Sequence, residues 1–377
     1  MSGTTASATS PTTDATHVAV PAAYGLPGAP SAPAEPLDDP AWTALTDAAT
    51  RERVTPLLAS AVAAGAFPAT DRQYGAIVRA HERSMRTCVA LERTLGDAAT
   101  TLEHAGVAYR VVKGPAVAHL DYPNPSLRAF GDIDLLVAAE RYDDALTLLT
   151  DRGGRRRYPE VRPGFDRRFG KGACLVLADG TEIDVHRTFV AGPFGLTVDL
   201  DALFATDEQF TLGGRSLPAL CREHRFVHAC FHAALGDAAP RLSAQRDVAQ
   251  LALDDRTDVA GALEAARAWR SDAVVARAVT TTWSRLGLQP TPLVRWALAH
   301  QPDRFQARAL RAYSGPGRSY ATQTAAGLAA VDGLAGKAAY LRAVLVADRD
   351  HVRRHDGGYV RRLRRGWQAL RATRTTR

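Results

Sequence analysis

The sequence has few cysteines and lacks any long apolar run. Its four cysteines are Cys88, Cys174, Cys221 and Cys230, and none are in a CxxC spacing. This excludes a disulfide scaffold and favours free thiols in a reducing compartment. No apolar stretch reaches the ~18 residues that a membrane-spanning helix needs. The first residues have neither a basic start nor a continuous apolar segment, so we expect a cytoplasmic protein with no signal peptide and no transmembrane segment.

The net charge of +7 is concentrated at one end of the chain. Residues 351–377 contain nine arginines and a single acid, Asp356, so the remainder is close to neutral. The basic character therefore describes a tail and not a basic fold. The tail also carries an apolar stripe made by Val360, Leu363, Trp367 and Leu370. Such a helix contacts RNA or a membrane surface, or else packs on the domain with its charged face outward, and both interpretations stay open.

Composition and periodicity divide the chain into five regions. Residues 1–40 are rich in Ala, Ser, Thr and Pro, bury too little to offset the entropy of ordering, and are predicted to be disordered. Apolar stripes at spacings of three and four predict helices over 41–105 and again over 216–350. Residues 106–215 form the predicted core, and 351–377 form the basic tail.

The predicted core alternates short strands with helices. Val107–Val112 and Asp132–Val137 are rich in β-branched and apolar residues, which favours strands. Gly114–Leu120 and Glu140–Arg152 are predicted to be helices. Asp179-Gly180 lies between two apolar runs and is a strong hairpin signal. The sequence thus predicts a strand–helix–strand–helix–hairpin unit between two helical regions.

An acidic pair lies in the second predicted strand. Side chains alternate along a strand, so Asp132 and Asp134 project from one face about 6.5 Å apart, and Ile133 and Leu135 project from the other. Two carboxylates this close repel each other, and a divalent cation removes that cost. Mg²⁺ prefers one or two carboxylates together with phosphate oxygens and water. A solvated acidic strand face is the alternative.

A third carboxylate follows on the predicted hairpin. Asp184 lies in the run Glu182–His186 and shares the outward face of that strand with Glu182 and His186. The order of elements favours a metal site over a solvated face: a strand ending in Lys113-Gly114, a short helix, the acidic pair, then an isolated Asp between apolar neighbours.

Residues 107–137 resemble the bacterial family of uncharacterised nucleotidyltransferases, within the DNA polymerase beta-like superfamily. The resemblance rests on Lys113-Gly114, Tyr122-Pro123, Arg128 and Gly131-Asp132-Ile133-Asp134, and it extends over about residues 45–255. It implies an α+β fold with a small mixed β-sheet, helices on one face of that sheet, and helical regions on either side of the core.

The resemblance also implies a reaction. A nucleoside triphosphate such as ATP would be held on two Mg²⁺ ions, or on Mn²⁺. Asp132 and Asp134 would bind the nucleotide-bound metal, and these two with Asp184 would bind the metal that activates an acceptor hydroxyl. In-line attack on the α-phosphate would then release pyrophosphate.

The expected nucleotide contacts are Lys113, Gly114, Arg128 and Gly131. The superfamily usually has Gly-Ser or Gly-Gly after its first strand, whereas this chain has Lys113-Gly114-Pro115. The following helix still offers free N–H groups, although Pro115 has none, and Lys113 would supply a point charge to the phosphates. Arg128 either binds phosphate or forms an ion pair with one of the Asp residues.

Two weaker patterns are better explained by packing or by solvent exposure than by a binding site. Cys221, His224, His228 and His232 recur at helical spacing, but one straight helix cannot close a tetrahedron around zinc, so packing is favoured, with His232 near the cleft. The basic stretch Arg155–Lys171 either grips an anionic acceptor or the triphosphate, or is a solvated connection, which is favoured. Arg241 and Asp247 are expected to be structural.

The sequence leaves the acceptor open among a small molecule, a peptide, a protein and RNA. Two other functions also stay open. One is a toxin-like nucleotidyltransferase that modifies RNA or protein, which the basic tail would support. The other is a scaffold of the same fold that binds nucleotide without turnover.

Overall fold

The structure is a computed structural model that describes residues 13–160, 162–237, 239–313, 320–345 and 364. The predicted basic tail lies outside the described residues except for Arg364. No helix among the described residues is long and apolar enough to cross a bilayer. All four cysteines are free thiols, as expected.

The N-terminal region is helical and begins earlier than predicted. Its helices are α1 Thr13–Ala22, α2 Asp39–Arg51, α3 Thr55–Ala63 and α4 Asp71–His104. Thr70 and Gln73 form a capping box at the start of α4, and Gly106 adopts φ 63° just after its end, as expected of a C-terminal cap.

The prediction of disorder over residues 1–40 is wrong for residues 13–40. Val18, Ala22 and Leu26 are buried in the large helical core. The guanidinium of Arg246 donates to the carbonyl oxygens of Ala22 and Tyr24, at 3.0 and 2.6 Å. Composition did not reveal this order, because a few apolar residues are enough to anchor the segment against helices that come later in the chain. Residues 1–12 lie outside the described residues.

The centre of the molecule is a mixed sheet of seven strands in the described part of the chain. The strands are β1 Tyr109–Val111, β2 Ile133–Val137, β3 Arg155–Arg156, β4 Gly172–Val176, β5 Glu182–His186, β6 Glu208–Leu212 and β7 Arg215–Ala219. Their order is β3-β4-β5-β2-β1-β7-β6. β2 is antiparallel to β1 and parallel to β5, and β4 and β5 form the predicted hairpin.

The sheet extends beyond the predicted core. Residues 216–219 belong to β7 and not to a helical region, so the boundary predicted at 215 is wrong by one strand. β6 and β7 form a hairpin through Gly213 and Gly214, whose φ angles of 55° and 81° need glycine. Gly-Gly between apolar runs is itself a hairpin signal.

Helices cover the apolar face of the sheet, as expected. Between the strands lie α5 Pro115–Asp121, α6 Tyr142–Asp151, α7 Phe165–Arg168 and α8 Leu200–Ala205. Ile133, Leu135 and Val137 of β2 form one core with residues of α4 and α6. Leu136 points the other way and belongs to the core formed by the helices that follow the sheet. Alternation along β2 thus gives the sheet two distinct environments.

The C-terminal region is helical from residue 222 onward in the part that the structure describes. Its helices are α9 Arg222–Phe231, which continues into one π-helical turn His232–Gly236, then α10 Leu242–Ala252, α11 Val259–Ala268, α12 Asp272–Leu286, α13 Pro292–Ala299, α14 Arg304–Arg311, α15 Tyr320–Gly327 and α16 Leu334–Leu345. Buried aromatic residues of α9 and of the segment after β5 pack together, with Phe189 and Phe231 edge to face at 5.6 Å. The π-helical turn itself packs against α10 and α12.

Candidate active site

Asp134 and Asp184 lie directly opposite each other on two central strands. β2 and β5 run parallel with Asp134 paired to Asp184 in the register, so both carboxylates leave the same face of the sheet. Asp134 is fully buried, at 1% exposure, whereas Asp184 is half-buried and lines a cleft. The sequence predicted a shared face for these acids, and the register provides it.

Lys113 neutralises the acidic pair. It follows β1, and its ammonium lies 3.1 Å from Oδ2 of Asp132 and 3.0 Å from Oδ2 of Asp134. Burial alone would lower the pKa of Lys113, but the two carboxylates outweigh it and raise the pKa above its usual value. Lys113 therefore stays protonated between the two carboxylates.

His186 contacts the same acid from β5. Its Nε2 lies 2.7 Å from Oδ1 of Asp134. Burial would raise the pKa of Asp134, but the charge of Lys113 and the hydrogen bond with His186 hold it well below the usual range. Burial and the nearby Lys171 lower the pKa of His186, although Asp134 opposes this. A neutral His186 that donates from Nε2 to Asp134 fits both shifts.

These residues fit a divalent metal. Asp134, Asp184 and His186 each offer a ligand atom, and the three atoms lie within 4.8 Å of one another. Nδ1 of His186 is buried without a hydrogen-bond partner, which is the kind of polar atom a bound group or water would satisfy. Asp132 is outside this compact group. It precedes β2 and keeps a quarter of its side chain exposed beside Lys113.

The carboxylates open into a cleft of about 300 Å³. Its polar lining includes the predicted residues Lys113, Gly114, Arg128, Asp132 and Asp184, joined by residues from both helical regions such as Arg53, Lys171, His232, Arg241 and Asp247. Gly114 adopts φ 60° at the turn between β1 and α5. Gly131 lies at the mouth, where an added Cβ would come 2.8 Å from Nη2 of Arg53.

Arg128 is held by a buried ion pair with Asp247. Its Nε and Nη2 donate to the two oxygens of Asp247, at 2.8 and 2.6 Å, and its Nη1 donates to the carbonyl of Gly114 at 3.2 Å. The hydroxyl of Tyr122 donates to the same Asp247 at 2.9 Å. Both charged side chains are buried. The ion-pair interpretation therefore describes Arg128 in this structure, with Asp247 as the partner instead of Asp132 or Asp134.

The histidine row and the basic stretch are mostly occupied by packing contacts and ion pairs. His224 packs on the ring of Trp269 and His228 packs edge to face on Phe189, with ring centroids 5.2 and 4.9 Å apart. In the basic stretch, Arg156 pairs with Asp166 and Arg157 pairs with Glu182. As suggested by its position, His232 lines the cleft.

Three residues in or beside the cleft were not recognised from the sequence alone. The sequence pattern placed His186 on the correct strand face but indicated no role for it. Lys171 was interpreted as part of a solvated connection, and no pattern pointed to Arg53. The chain has only three lysines, Lys113, Lys171 and Lys337. In a chain that otherwise uses arginine for its cations, that scarcity is the signal that would have drawn attention to Lys171.

Two solved structures are similar to this chain at low levels. An antigenic nucleotidyltransferase-like protein from Paracoccidioides brasiliensis is 15% identical, with a TM-score of 0.32 over 56% of this chain and 97% of the other. The lincomycin-bound lincosamide antibiotic adenylyltransferase LnuA is 18% identical, with a TM-score of 0.28 over 40% of this chain and 89% of the other. No curated protein matches the chain significantly.

A family comparison covers most of the described protein. Residues 38–287 match the family described as uncharacterised nucleotidyltransferase. The match includes α2, all seven strands and the helices up to α12, and so spans every residue that lines the acidic cleft. The chain therefore belongs to this nucleotidyltransferase family.

Proposed function

We propose that the protein transfers a nucleoside monophosphate from an NTP to an acceptor hydroxyl, with a divalent metal held by Asp132, Asp134 and Asp184. The observation that carries this proposal is the parallel register that sets Asp134 against Asp184, with Asp184 in the lining of the acidic cleft. Mg²⁺ is the expected ion, with Mn²⁺ as a substitute. Two ions are expected because three carboxylates on one face suit a pair of metals that share ligands.

The carboxylates and His186 would prepare the metal site. Ionised Asp134 needs no proton release before it binds a cation, because Lys113 already holds its pKa low. The hydrogen bond with His186 fixes the orientation of that carboxylate, as outer partners of metal ligands commonly do. Bound metal would supply Lewis-acid stabilisation of the α-phosphate and would lower the pKa of the acceptor hydroxyl.

The cations of the cleft would hold the triphosphate. Lys113 and Lys171 line the cleft beside the carboxylates, and compact ammonium groups are common phosphate ligands. In the reaction, a bond forms between the acceptor oxygen and the α-phosphorus. The bond from that phosphorus to the bridging oxygen breaks, the hydroxyl proton passes to a carboxylate or water, and pyrophosphate leaves.

Pyrophosphate release from each α-labelled NTP tests the proposal, measured with and without Mg²⁺ or Mn²⁺ in a host extract that supplies acceptors. We expect Asp134→Asn and Asp184→Asn to abolish release and labelling. Asp151→Asn, at an exposed position at the end of α6, is the matched control and should behave as wild type. Turnover unchanged by Asp134→Asn would refute the assignment.

The same experiment separates the alternatives. Label on RNA or on a protein would indicate a macromolecule-modifying enzyme, and label on a small product would indicate a small-molecule acceptor. A scaffold without catalysis would bind NTP equally with and without metal and would label nothing.

A further inference from the structure

Arg53 has a backbone conformation that side chains rarely adopt. It follows α2 with φ 57°, in the left-handed region where glycine is normally found. The N–H of Arg53 bonds to the carbonyl of Thr50 and that of Val54 bonds to the carbonyl of Ala49, at 3.2 and 2.8 Å. This is the Schellman pattern, in which the position of Arg53 is usually glycine, as Gly106 is at the end of α4.

The strained backbone brings the guanidinium of Arg53 to the mouth of the acidic cleft. Nη1 lies 4.0 Å from Oδ1 of Asp132, too far for a hydrogen bond. The head group passes directly over Gly131, where even a Cβ would collide with it. About a third of the side chain is exposed. Strain of this kind concentrates at functional sites, because the surrounding structure must hold it in place.

A second arginine shows what the same turn does away from the cleft. Arg270 follows α11 with φ 51° and is the other non-glycine residue with positive φ among those described. Its guanidinium lies 4.0 Å above the ring of Phe305 and 3.7 Å from Asp303. Arg270 thus has an ordinary packing role, whereas the guanidinium of Arg53 has no hydrogen-bond acceptor among the described side chains and faces the cleft.

We propose that Arg53 binds the phosphate groups of the nucleotide. This inference rests on the proposed function, since it assigns a ligand to the same cleft. A guanidinium presents a planar fork of N–H donors that matches two phosphate oxygens. Lys113 already contacts Asp132 and Asp134 at hydrogen-bond distance, whereas Arg53 is a cation of the same cleft with no hydrogen-bond acceptor among the described side chains. Gly131 is then needed to leave room for the guanidinium.

The test compares three variants by calorimetric binding of MgATP, MgGTP, MgCTP and MgUTP, with inorganic tripolyphosphate as competitor. For Arg53→Gly we expect about tenfold weaker binding of the nucleotide that wild type prefers, equal to about 1.4 kcal/mol, and an equal loss for tripolyphosphate. Mn²⁺ binding without nucleotide should be unchanged. The Tm should equal or exceed that of wild type, because glycine relieves the left-handed strain.

Gly131→Ala is a second way to disturb the guanidinium of Arg53, and Arg270→Gly is the control. Gly131→Ala displaces the guanidinium without removing it and should weaken NTP binding in the same direction, with no further loss when combined with Arg53→Gly. Arg270→Gly changes the same kind of turn away from the cleft and should bind NTP as wild type does.

Several results would overturn the proposal. Unchanged NTP binding in Arg53→Gly, a loss confined to Mn²⁺ affinity, or a clear fall in Tm would each show that Arg53 serves only as a counter-ion of Asp132. If wild type binds none of the four nucleotides, the proposed function fails and this inference fails with it. If wild type binds and turns over NTP while Arg53→Gly does so equally, only the role of Arg53 is wrong.

Discussion

Replacing Asp247 by alanine would test whether Arg128 is a structural residue or a phosphate ligand. Asp247 accepts both donors of the Arg128 fork and the hydroxyl of Tyr122, and the pair is buried, with exposed fractions of 7% and 4%. Asp247→Ala would leave a guanidinium in the interior without a counter-charge. Burial opposes the charged form of Arg128, and it is Asp247 that raises its pKa above the usual value.

We expect Asp247→Ala to lower the free energy of unfolding by about 3–5 kcal/mol, the usual cost of removing one partner from a buried pair. Urea unfolding measures this directly. The double variant Arg128→Met/Asp247→Leu should regain most of the loss, because apolar residues of similar volume often replace a buried pair at little cost. A deficit of about 1–2 kcal/mol should remain, since Tyr122 and the Gly114 carbonyl lose their partners.

The exposed pair Arg141–Asp144 provides the control. It has the same residue types and a similar distance, 2.7 Å from Nε to Oδ2, but about half of each side chain is in solvent. Asp144→Ala should cost less than about 1 kcal/mol. If Asp247→Ala costs no more than Asp144→Ala, the structural role is refuted. If the folded double variant binds NTP tenfold more weakly than wild type, Arg128 does contact phosphate.

Three further predictions concern the cleft, the helical core and the N-terminus. Lys113→Met leaves Asp132 and Asp134 without their shared cation, so added Mn²⁺ should raise the Tm of this variant more than that of wild type; equal gains, measured against EDTA, would contradict this. Burial lowers the pKa of His228 to about 3, so the unfolded chain takes up a proton first as pH falls below its ordinary value near 6.5. Stability should then fall from pH 6.5 toward pH 3 by up to about 1.4 kcal/mol per pH unit, and His228→Phe should flatten this slope in urea titrations. Deleting residues 1–26 removes Val18 and Ala22 from the core and two acceptors from Arg246. We therefore expect the free energy of unfolding to fall by at least about 3 kcal/mol. An unchanged Tm would contradict this and would indicate that the segment is disordered.

Local patterns predicted the central unit well because they depend on neighbours in sequence. β-branched runs and an Asp-Gly turn gave β1, β2 and the β4–β5 hairpin, and alternation gave the faces of Asp134 and Asp184. The pairing of β2 with β5 is not local, and alternation alone does not specify which strands adjoin. The resemblance to the nucleotidyltransferase family implied a mixed sheet, which the fold confirms, and a metal shared by Asp132, Asp134 and Asp184, which stays a prediction.

The missed features depend on contacts across long sequence separations. His186 was expected to point outward with Asp184, and it does share that face, but it is buried there and contacts Asp134 of the neighbouring strand. Nothing near Arg53 in sequence indicates a cleft, because its neighbour Gly131 comes 78 positions later in the chain. The helix α1 was hidden for the same reason, since its partners are α2, α3, α10 and α12.

The choice of lysine at position 113 follows from the geometry of the acids and not from composition. A chain with 47 basic residues uses lysine only three times, yet two of these line the cleft. One ammonium nitrogen lies about 3 Å from oxygens of both Asp132 and Asp134, and its donors are free to rotate toward each. A planar guanidinium spreads its charge over a fork that suits one carboxylate at a time, as Arg128 does with Asp247. Lys113→Arg should therefore fail to replace lysine even though the charge is conserved. Recovery of full NTP turnover in Lys113→Arg would show that only the charge matters at this position.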